Sequence, residues 1–324
     1  MKLVISFFIF CIVLFIYLHV QFQLKTGEDL EVYELEDASK DKLEEICDLR
    51  QPVLFDFYNQ KIIESCNISN LLSNYHAFEI KVRNINDKDC SYLPVQLSDA
   101  TKLFQEDSTG MYFSENNEDF LNETGTVKSM QYNDEYLRPY MVSNCKYDVM
   151  FGSEKVKTPF RYELNYRNYF TVSQGGVKIK LSPPKSGKYL ELISDYENFE
   201  FRSVTNPWVI DPQAKYKSLE VYLPLGKTIY IPAYWWYSIE FEKNSSIFCC
   251  RYRTFMNNIA IIPNAIMYAL QNQNIKFDII SKKEIPLNET KKQSINTVSI
   301  EETKAISVTD SKKNNSKNEK KKSK

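Results

Sequence analysis

The sequence predicts a mainly β domain with flanking helices, preceded by an N-terminal transmembrane helix. Residues 3–20 read LVISFFIFCIVLFIYLHV and contain no Asp, Glu, Lys or Arg. After Lys146, short apolar segments follow one another closely, separated by Gly, Pro, Asn or Ser. Segments spaced in this way indicate a β-barrel or β-sandwich. The 22 Tyr and 20 Phe, beside only 8 Gly, are typical of a strand-rich core.

The apolar segment 3–20 predicts a membrane anchor. At about 1.5 Å per residue it spans about 27 Å, close to the hydrocarbon thickness of about 30 Å. A cleaved signal peptide is the alternative, but no small-x-small cleavage site follows before Leu24, which favours an uncleaved anchor. We therefore divide the chain into an anchor (1–24), a linker with a short helix (25–48), a domain (49–280) and a tail (281–324).

Two sets of signals disagree on the membrane orientation. Lys2 precedes the apolar segment 3–20, and Glu28, Asp29 and Glu31 follow it, which favours a single-pass protein with its domain in a lumen or outside the cell. The last four residues, KKSK, instead resemble a dilysine retrieval signal, which requires a cytosolic tail. Glycosylation sequons, available only to a lumenal or extracellular domain, start at Asn67, Asn122, Asn244, Asn288 and Asn314.

The first half of the domain alternates between helical and strand patterns. A helix begins at Ser39, because apolar residues recur at Leu43, Ile46 and Cys47 on one helical face. A buried strand is expected at 53–57 and another strand at 77–83. Helices are expected at 61–66 and 68–75, and a further helix runs from a Ser98 cap to about Phe104.

The second half is strand-rich, and a final helix closes it. VKIKL (177–181) alternates, which places Val177, Ile179 and Leu181 on one face of a strand. Gly175-Gly176 predicts a tight hairpin turn between two strands. The closing helix covers about 264–273, and the basic low-complexity tail after it predicts disorder. A net charge of -1 argues against a dedicated nucleic-acid binder.

The seven cysteines favour buried free thiols over a zinc site, since no CxxC pair is present. In a lumenal setting the six beyond the leader could instead form disulfides. Cys249 and Cys250 are neighbours on a predicted strand, so they should point to opposite faces of its sheet.

Three segments resemble the JmjC and cupin-like hydroxylase family in order and spacing. They are LRQPVLFDF (49–57), TPFRYELNYRNYFTVSQGGVKIKLSPP (158–184) and LPLGKTIYIPAYWWYSIEF (223–241), in which IPxxWW is the most specific feature. The resemblance implies a double-stranded β-helix, the cupin or jelly-roll barrel. It also implies Fe(II) held by an HxD pair and a distal His, with 2-oxoglutarate held in part by a Lys or Arg.

The residues at the matching positions are not the usual iron ligands. Arg161 and Glu163 stand for HxD, Tyr237 for the distal His, and Val177 for the co-substrate lysine, with Lys178 adjacent on the opposite face. A guanidinium cannot coordinate a metal. The chain has two histidines, His19 and His76, so no two-His triad can form in the barrel. We expect no catalytic residues, metal or cofactor; an oxygenase with a rearranged Fe(II) and 2-oxoglutarate site is the alternative.

An ion pair between Arg161 and Glu163, with Tyr237 hydrogen-bonded to it, is our hypothesis for the altered site. Arg251 and Arg253 share a strand face that could bind an anion, although we favour a solvated face. The expected partners are the membrane, through residues 3–20, and a protein, peptide or glycan bound at the barrel mouth, with a second copy of the chain as a further candidate. The candidate pocket residues are Asn168, Thr171, Lys178, Trp235 and Trp236.

Overall fold

The N-terminal helix α1 (Lys2–Leu24) is longer than the predicted span. The structure is a computed structural model, and it describes residues 2–37, 39–87, 91–209 and 211–274. Within those residues, α1 is the one helix long and apolar enough to cross a membrane. Its side chains are exposed as far as Leu18. The predicted tail, 281–324, and the sequons at Asn288 and Asn314 lie outside the described residues.

Short helices follow α1 and cover one side of the domain. The Ser39 hydroxyl accepts a hydrogen bond from the Lys42 amide at 3.3 Å and caps the next helix, as the sequence predicted. The described helices are α2 (Lys40–Cys47), α3 (Gln60–Ser65), α4 (Ile68–Tyr75), α5 (Leu97–Glu106), α6 (Glu118–Glu123), α7 (Val127–Asn133), α8 (Phe255–Ala260) and α9 (Ile262–Asn274), with a 3₁₀ turn at Pro184–Tyr189.

The described strands form two sheets. In chain order they are β1 (Tyr33–Leu35), β2 (Val53–Asp56), β3 (Glu79–Asn84), β4 (Tyr92–Gln96), β5 (Tyr112–Ser114), β6 (Val142–Gly152), β7 (Phe160–Tyr162), β8 (Arg167–Gln174), β9 (Gly176–Ser182), β10 (Leu192–Asp195), β11 (Glu200–Ser203), β12 (Leu219–Pro224), β13 (Lys227–Ile231), β14 (Trp236–Phe241) and β15 (Ser246–Thr254). The nine-stranded sheet has the order β1-β2-β13-β8-β15-β6-β5-β3-β4, and the six-stranded sheet has the order β10-β11-β7-β14-β9-β12. All pairs are antiparallel except β1 with β2.

An apolar core lies between the two sheets. It contains Phe170 and Ile229 from the nine-stranded sheet together with Ile179, Leu223 and Phe241 from the six-stranded sheet. A second core packs the other face of the nine-stranded sheet against the short helices, for example Ile62 and Leu71 against Phe248. The fold is therefore a mixture of helices and two large sheets. These two sheets are not joined into one closed barrel within the described part of the chain.

The connection between α1 and the domain is held by contacts along its length. Gln23, in the last turn of α1, is buried, and α1 packs against α8. Oε2 of Glu28 accepts a hydrogen bond from the Lys185 amide at 3.0 Å. Leu30 and Val32 pack against the core between the sheets. The connection is thus attached to the domain at Glu28, Leu30 and Val32.

Candidate functional site

Arg161 lies on β7 directly opposite Tyr237 on β14, and both side chains are buried between the sheets. The Arg161 guanidinium donates two hydrogen bonds to the Glu115 carboxylate, one of them from Nη1 to Oε1 at 2.8 Å. Its Nη1 also donates to Oε1 of Glu200 at 3.2 Å. Arg161 is therefore paired with carboxylates from β11 and from the residue after β5.

A second guanidinium completes this group. Nη1 of Arg83 on β3 donates to Oε1 of Glu200 at 3.1 Å and to Oε1 of Glu115 at 3.3 Å. The Tyr92 hydroxyl donates to Oε1 of Glu115 at 2.8 Å. These five residues, Arg83, Tyr92, Glu115, Arg161 and Glu200, form what we call the Arg161 cluster. Its two cations and two anions balance formally, which is how buried charges are usually tolerated.

The electrostatics of the Arg161 cluster keep Glu115 ionised. Burial alone would raise the pKa of the Glu115 carboxyl, but the charge and hydrogen bonds of Arg161 and the charge of Arg83 lower it to about 2. Burial acts against the charged form of Arg161 as well, yet the Glu115 carboxylate raises the pKa of that guanidinium. Both partners are thus held in their charged forms.

Glu163 belongs to a separate group beside the first. The Tyr237 hydroxyl donates to Oε1 of Glu163 at 3.1 Å, and Nε of Arg251 lies 3.6 Å from the same oxygen. Nη1 of Arg251 also donates to Oδ2 of Asp148 at 3.3 Å. The Asp148 carboxylate accepts the backbone N–H groups of Asn116 and Asn117 at 2.9 and 2.8 Å. We call Asp148, Glu163, Tyr237 and Arg251 the Glu163 cluster.

The proposed direct ion pair between Arg161 and Glu163 is absent from the described contacts. Arg161 pairs with Glu115 and Glu200, and Glu163 pairs with Arg251, because each charge has a closer partner of opposite sign. Tyr237 stands between them: the Arg161 guanidinium carbon is 5.6 Å from the centre of its ring, while its hydroxyl binds Glu163. The three motif positions are therefore adjacent, but two separate clusters hold them.

The five candidate pocket residues are dispersed. Asn168 and Thr171 are buried on β8, where Asn168 donates to the Ile231 carbonyl and Thr171 bonds the Thr228 hydroxyl. Lys178 is on the outer face of the six-stranded sheet, and its Nζ lies 3.6 Å from Oε1 of Glu240. Val177 packs in the core between the sheets, so the two residues face opposite ways, as predicted.

The two tryptophans point to opposite sides of the six-stranded sheet. Trp235 is buried between the sheets, and its indole N–H donates to the Arg50 carbonyl at 3.2 Å. Trp236 packs on the outer face against Phe160 and Leu190. Both indoles are therefore packing elements, as we favoured for at least one of them.

A cavity of about 620 Å³ opens beside the two clusters. Arg251 and Asp148 form part of its wall, and so does Tyr92 of the Arg161 cluster. The solvated face that we favoured for Arg251 is wrong, because this side chain is buried in the cavity wall. The remaining lining residues are Lys81, Asn116, Glu118, Asp119, Asn144, Lys146, Tyr147, Asn165, Glu197, Asn198, Phe199, Arg253, Ala265 and Tyr268.

The lining combines four asparagines and four aromatic side chains with charges that cancel. Lys81 pairs with Asp119 at 2.7 Å and Lys146 with Glu118 at 3.8 Å, so part of the charge is already neutralised within the wall. Amide groups beside aromatic faces suit a polar ligand with hydroxyl or peptide groups. None of the five candidate pocket residues lines this cavity.

The partners of the motif residues could not be found by reading the sequence. Arg83, Glu115 and Glu200 lie in segments without a motif. Pairing of β11 with β7 brings Glu200 to Arg161, and the packing of the two sheets brings Arg83 and Glu115 to it. Among the described residues, no group of three or more His, Cys, Asp or Glu side chains could hold a metal ion. A scan against protein-family models and a search of curated proteins both find no match to this chain.

Proposed function

We propose that this protein is a membrane-anchored, non-catalytic binding module built on a JmjC or cupin-like double-stranded β-helix. The observation that carries the proposal is the pairing of Arg161 with Glu115 and Glu200 at the position where the family holds iron. In this view the site keeps its shape through ion pairs and hydrogen bonds, and the nearby cavity binds the ligand.

The strand order supports the β-helix. From β6 to β9 the chain alternates between the nine-stranded and the six-stranded sheet at every strand. From β12 to β15 it does so again. The order β6-β15-β8-β13 in one sheet and β7-β14-β9-β12 in the other is what two interleaved turns of a β-helix produce. The strands β10 and β11 then extend the six-stranded sheet at one edge.

The residues at the motif positions do not fit Fe(II). A facial triad needs two imidazoles and a carboxylate with open coordination positions. Arg161 carries a permanent positive charge, and the Glu163 carboxylate already accepts from Tyr237 and faces Arg251. Burial raises the pKa of the Tyr237 hydroxyl, which favours a phenol that donates over a phenolate that ligates. At the co-substrate position, Val177 is apolar and buried, so it offers no cation to 2-oxoglutarate.

The ligand that best suits the cavity is a protein segment, a peptide or a glycan. Its four asparagines can donate and accept hydrogen bonds, and Tyr92, Tyr147, Phe199 and Tyr268 offer aromatic faces. The apolar helix α1 supports anchoring. In this proposal the domain lies in a lumen or outside the cell, as the residues that flank the apolar segment 3–20 favour. Three sequons on described residues, at Asn67, Asn122 and Asn244, would then be available for glycosylation.

Metal analysis and turnover assays test the loss of iron chemistry. Purified full-length protein in detergent is incubated with Fe(II) and ascorbate, desalted, and analysed for bound iron, and 2-oxoglutarate decarboxylation is measured separately. We expect iron far below one equivalent per chain and no decarboxylation above the buffer control. Stoichiometric iron with co-substrate decarboxylation would overturn the proposal in favour of an oxygenase with a rearranged metal site.

Ligand arrays test the binding role. The full-length protein is probed on glycan and peptide arrays together with two variants, Tyr268→Ala in the cavity and Tyr222→Ala on the outer face of the six-stranded sheet. We expect wild type and Tyr222→Ala to bind the same ligands, and Tyr268→Ala to lose most of that binding. Binding that is unaffected by Tyr268→Ala would remove the cavity from the proposal.

A further inference from the structure

Helices α8 and α9 form an exposed apolar surface next to the end of α1. Ile262, Ile266 and Leu270 on α9 are 46%, 53% and 48% exposed, and Phe255 on α8 is 57% exposed. From Thr254 to Asn274 the chain contains no charged residue. A helix that faces water on one side usually carries charged or polar side chains there, so this composition is unusual for a solvated surface.

α9 is exposed on both sides, and one of these sides lines the cavity. Ala265 and Tyr268 line the cavity, and the Tyr268 ring meets Phe199 with a centroid distance of 5.7 Å. Ile262, Ile266 and Leu270 are spaced four apart, so they form one stripe, and the helical period places that stripe roughly opposite the cavity side. The apolar stripe therefore faces away from the domain.

The contact between α1 and α8 places this surface at the level where α1 ends. α8 packs against α1, and burial along α1 begins only at its last turns, with His19 and Val20 half-buried and Gln23 buried. The uncharged stretch 3–20 of α1 matches a hydrocarbon core of about 30 Å. The edge of that core then lies near Val20, beside α8 and the start of α9.

We propose that α8 and α9 lie on the membrane surface, with Phe255, Ile262, Ile266 and Leu270 in contact with lipid. The inference rests on the proposed anchoring by α1 and adds a second membrane contact to it. An uncharged segment with an apolar stripe that packs beside the end of a spanning helix is chemically suited to the interface between headgroups and acyl chains. The occupant of this apolar surface is thus the bilayer in which α1 is anchored.

Depth-dependent fluorescence quenching tests the lipid contact. A background with Cys11, Cys90 and Cys145 changed to serine receives either Ile266→Cys or, as the matched control, Tyr222→Cys, and each is labelled with an environment-sensitive fluorophore. The full-length proteins are reconstituted in vesicles of phosphatidylcholine and phosphatidylglycerol that carry nitroxide on the acyl chains. We expect quenching at position 266 to be several-fold stronger than at position 222, with a blue-shifted emission at 266.

Three other outcomes would overturn the proposal, and they are distinguishable. Release of the protein by alkaline carbonate means that α1 does not anchor the chain, and the proposed membrane function then fails as well. Retention in the vesicles with equal quenching at both positions removes only the lipid contact of α9. Protection of position 266 from both lipid-borne and water-soluble nitroxide shows that a protein surface, such as a second copy of the chain, covers the stripe.

Discussion

The Tyr237 hydroxyl donates a hydrogen bond to Oε1 of Glu163 at 3.1 Å, while the ring of the same tyrosine lies against the Arg161 guanidinium. Tyr237→Phe keeps the ring and removes the donor. We expect the variant to lose about 1–3 kcal/mol of unfolding free energy, because the Glu163 oxygen loses a hydrogen bond in a largely buried site. Urea denaturation measures the loss. Tyr222→Phe is the control, since its hydroxyl is on the surface, and it should stay within about 0.5 kcal/mol of wild type.

Arg161→Met tests the ion pairs of the Arg161 cluster. It leaves the buried Glu115 and Glu200 carboxylates with Arg83 as the one remaining countercharge in the cluster, so we expect a loss of about 3–5 kcal/mol of unfolding free energy. Adding Glu115→Gln should restore part of it, because the second change removes an uncompensated charge. Lys42→Met, at an exposed pair with Glu45, is the control and should have little effect. Losses that simply add in the double variant would contradict the coupling.

The Arg161 cluster also predicts an acid-dependent stability. The pKa of the Glu115 carboxyl is lowered from its ordinary value of 4.5 to about 2 in the folded chain. When the pH falls, Glu115 is therefore protonated in the unfolded state before it is protonated in the folded state. The contribution of Glu115 is therefore fully present above about pH 4.5 and is lost as the pH falls towards 2. Over this range, the unfolding free energy that Glu115 contributes changes by at most about 1.4 kcal/mol per pH unit.

Chemical denaturation at a series of pH values, with Glu115→Gln for comparison, measures this slope. The variant should show a shallower dependence between pH 4.5 and 2 than wild type. Carboxyl ¹³C titration of the wild-type protein gives a second readout that does not depend on the variant folding. A Glu115 signal that titrates near its ordinary value would contradict the prediction.

Buried thiols should resist alkylation. Cys47, Cys66, Cys249 and Cys250 are buried and unpaired, and burial raises the pKa of Cys47 and of Cys66 to about 12. We expect maleimide at neutral pH to modify the half-buried Cys145 well before any of these four in the native protein. Mass spectrometry of peptides before and after denaturation gives the order. Rapid native labelling of Cys249 would show that the core between the sheets opens easily.

Local patterns predicted much of the fold. The Ser39 cap, the alternation of VKIKL and the opposite faces of Cys249 and Cys250 are confirmed, since Cys249 lies in the core between the sheets and Cys250 in the core under the helices. Each of these features depends on residues close together in the chain. The hairpin expected at Gly175-Gly176 is wrong in one respect: Gly175 turns the chain with φ of +68°, but β8 and β9 enter different sheets.

The candidate site was predicted only in part, and the reason is long-range pairing. The resemblance to the JmjC and cupin-like family indicated Arg161, Glu163 and Tyr237, and these three residues lie next to one another in the structure. The ion-pair partners of Arg161 are distant in the sequence: Glu200 is 39 residues away and Glu115 is 46 residues away. A charged residue in a segment without a motif has no local signal that tells a buried ion pair from a solvated side chain. The cavity could not be predicted for the same reason, because its lining residues are far apart in the sequence, from Lys81 to Tyr268.

The contacts between α1 and the domain restrict how the domain can move relative to this helix. A long flexible linker would let a domain adopt many positions and orientations relative to its membrane helix. Here Gln23 is buried, Glu28 accepts a hydrogen bond from Lys185, and Leu30 and Val32 pack against the core. These contacts fix the connection to the domain at several points and limit the motion of the domain relative to α1. On a membrane, such a rigid mount would keep the cavity at a constant height and orientation, and encounters would depend on two-dimensional diffusion of the whole molecule.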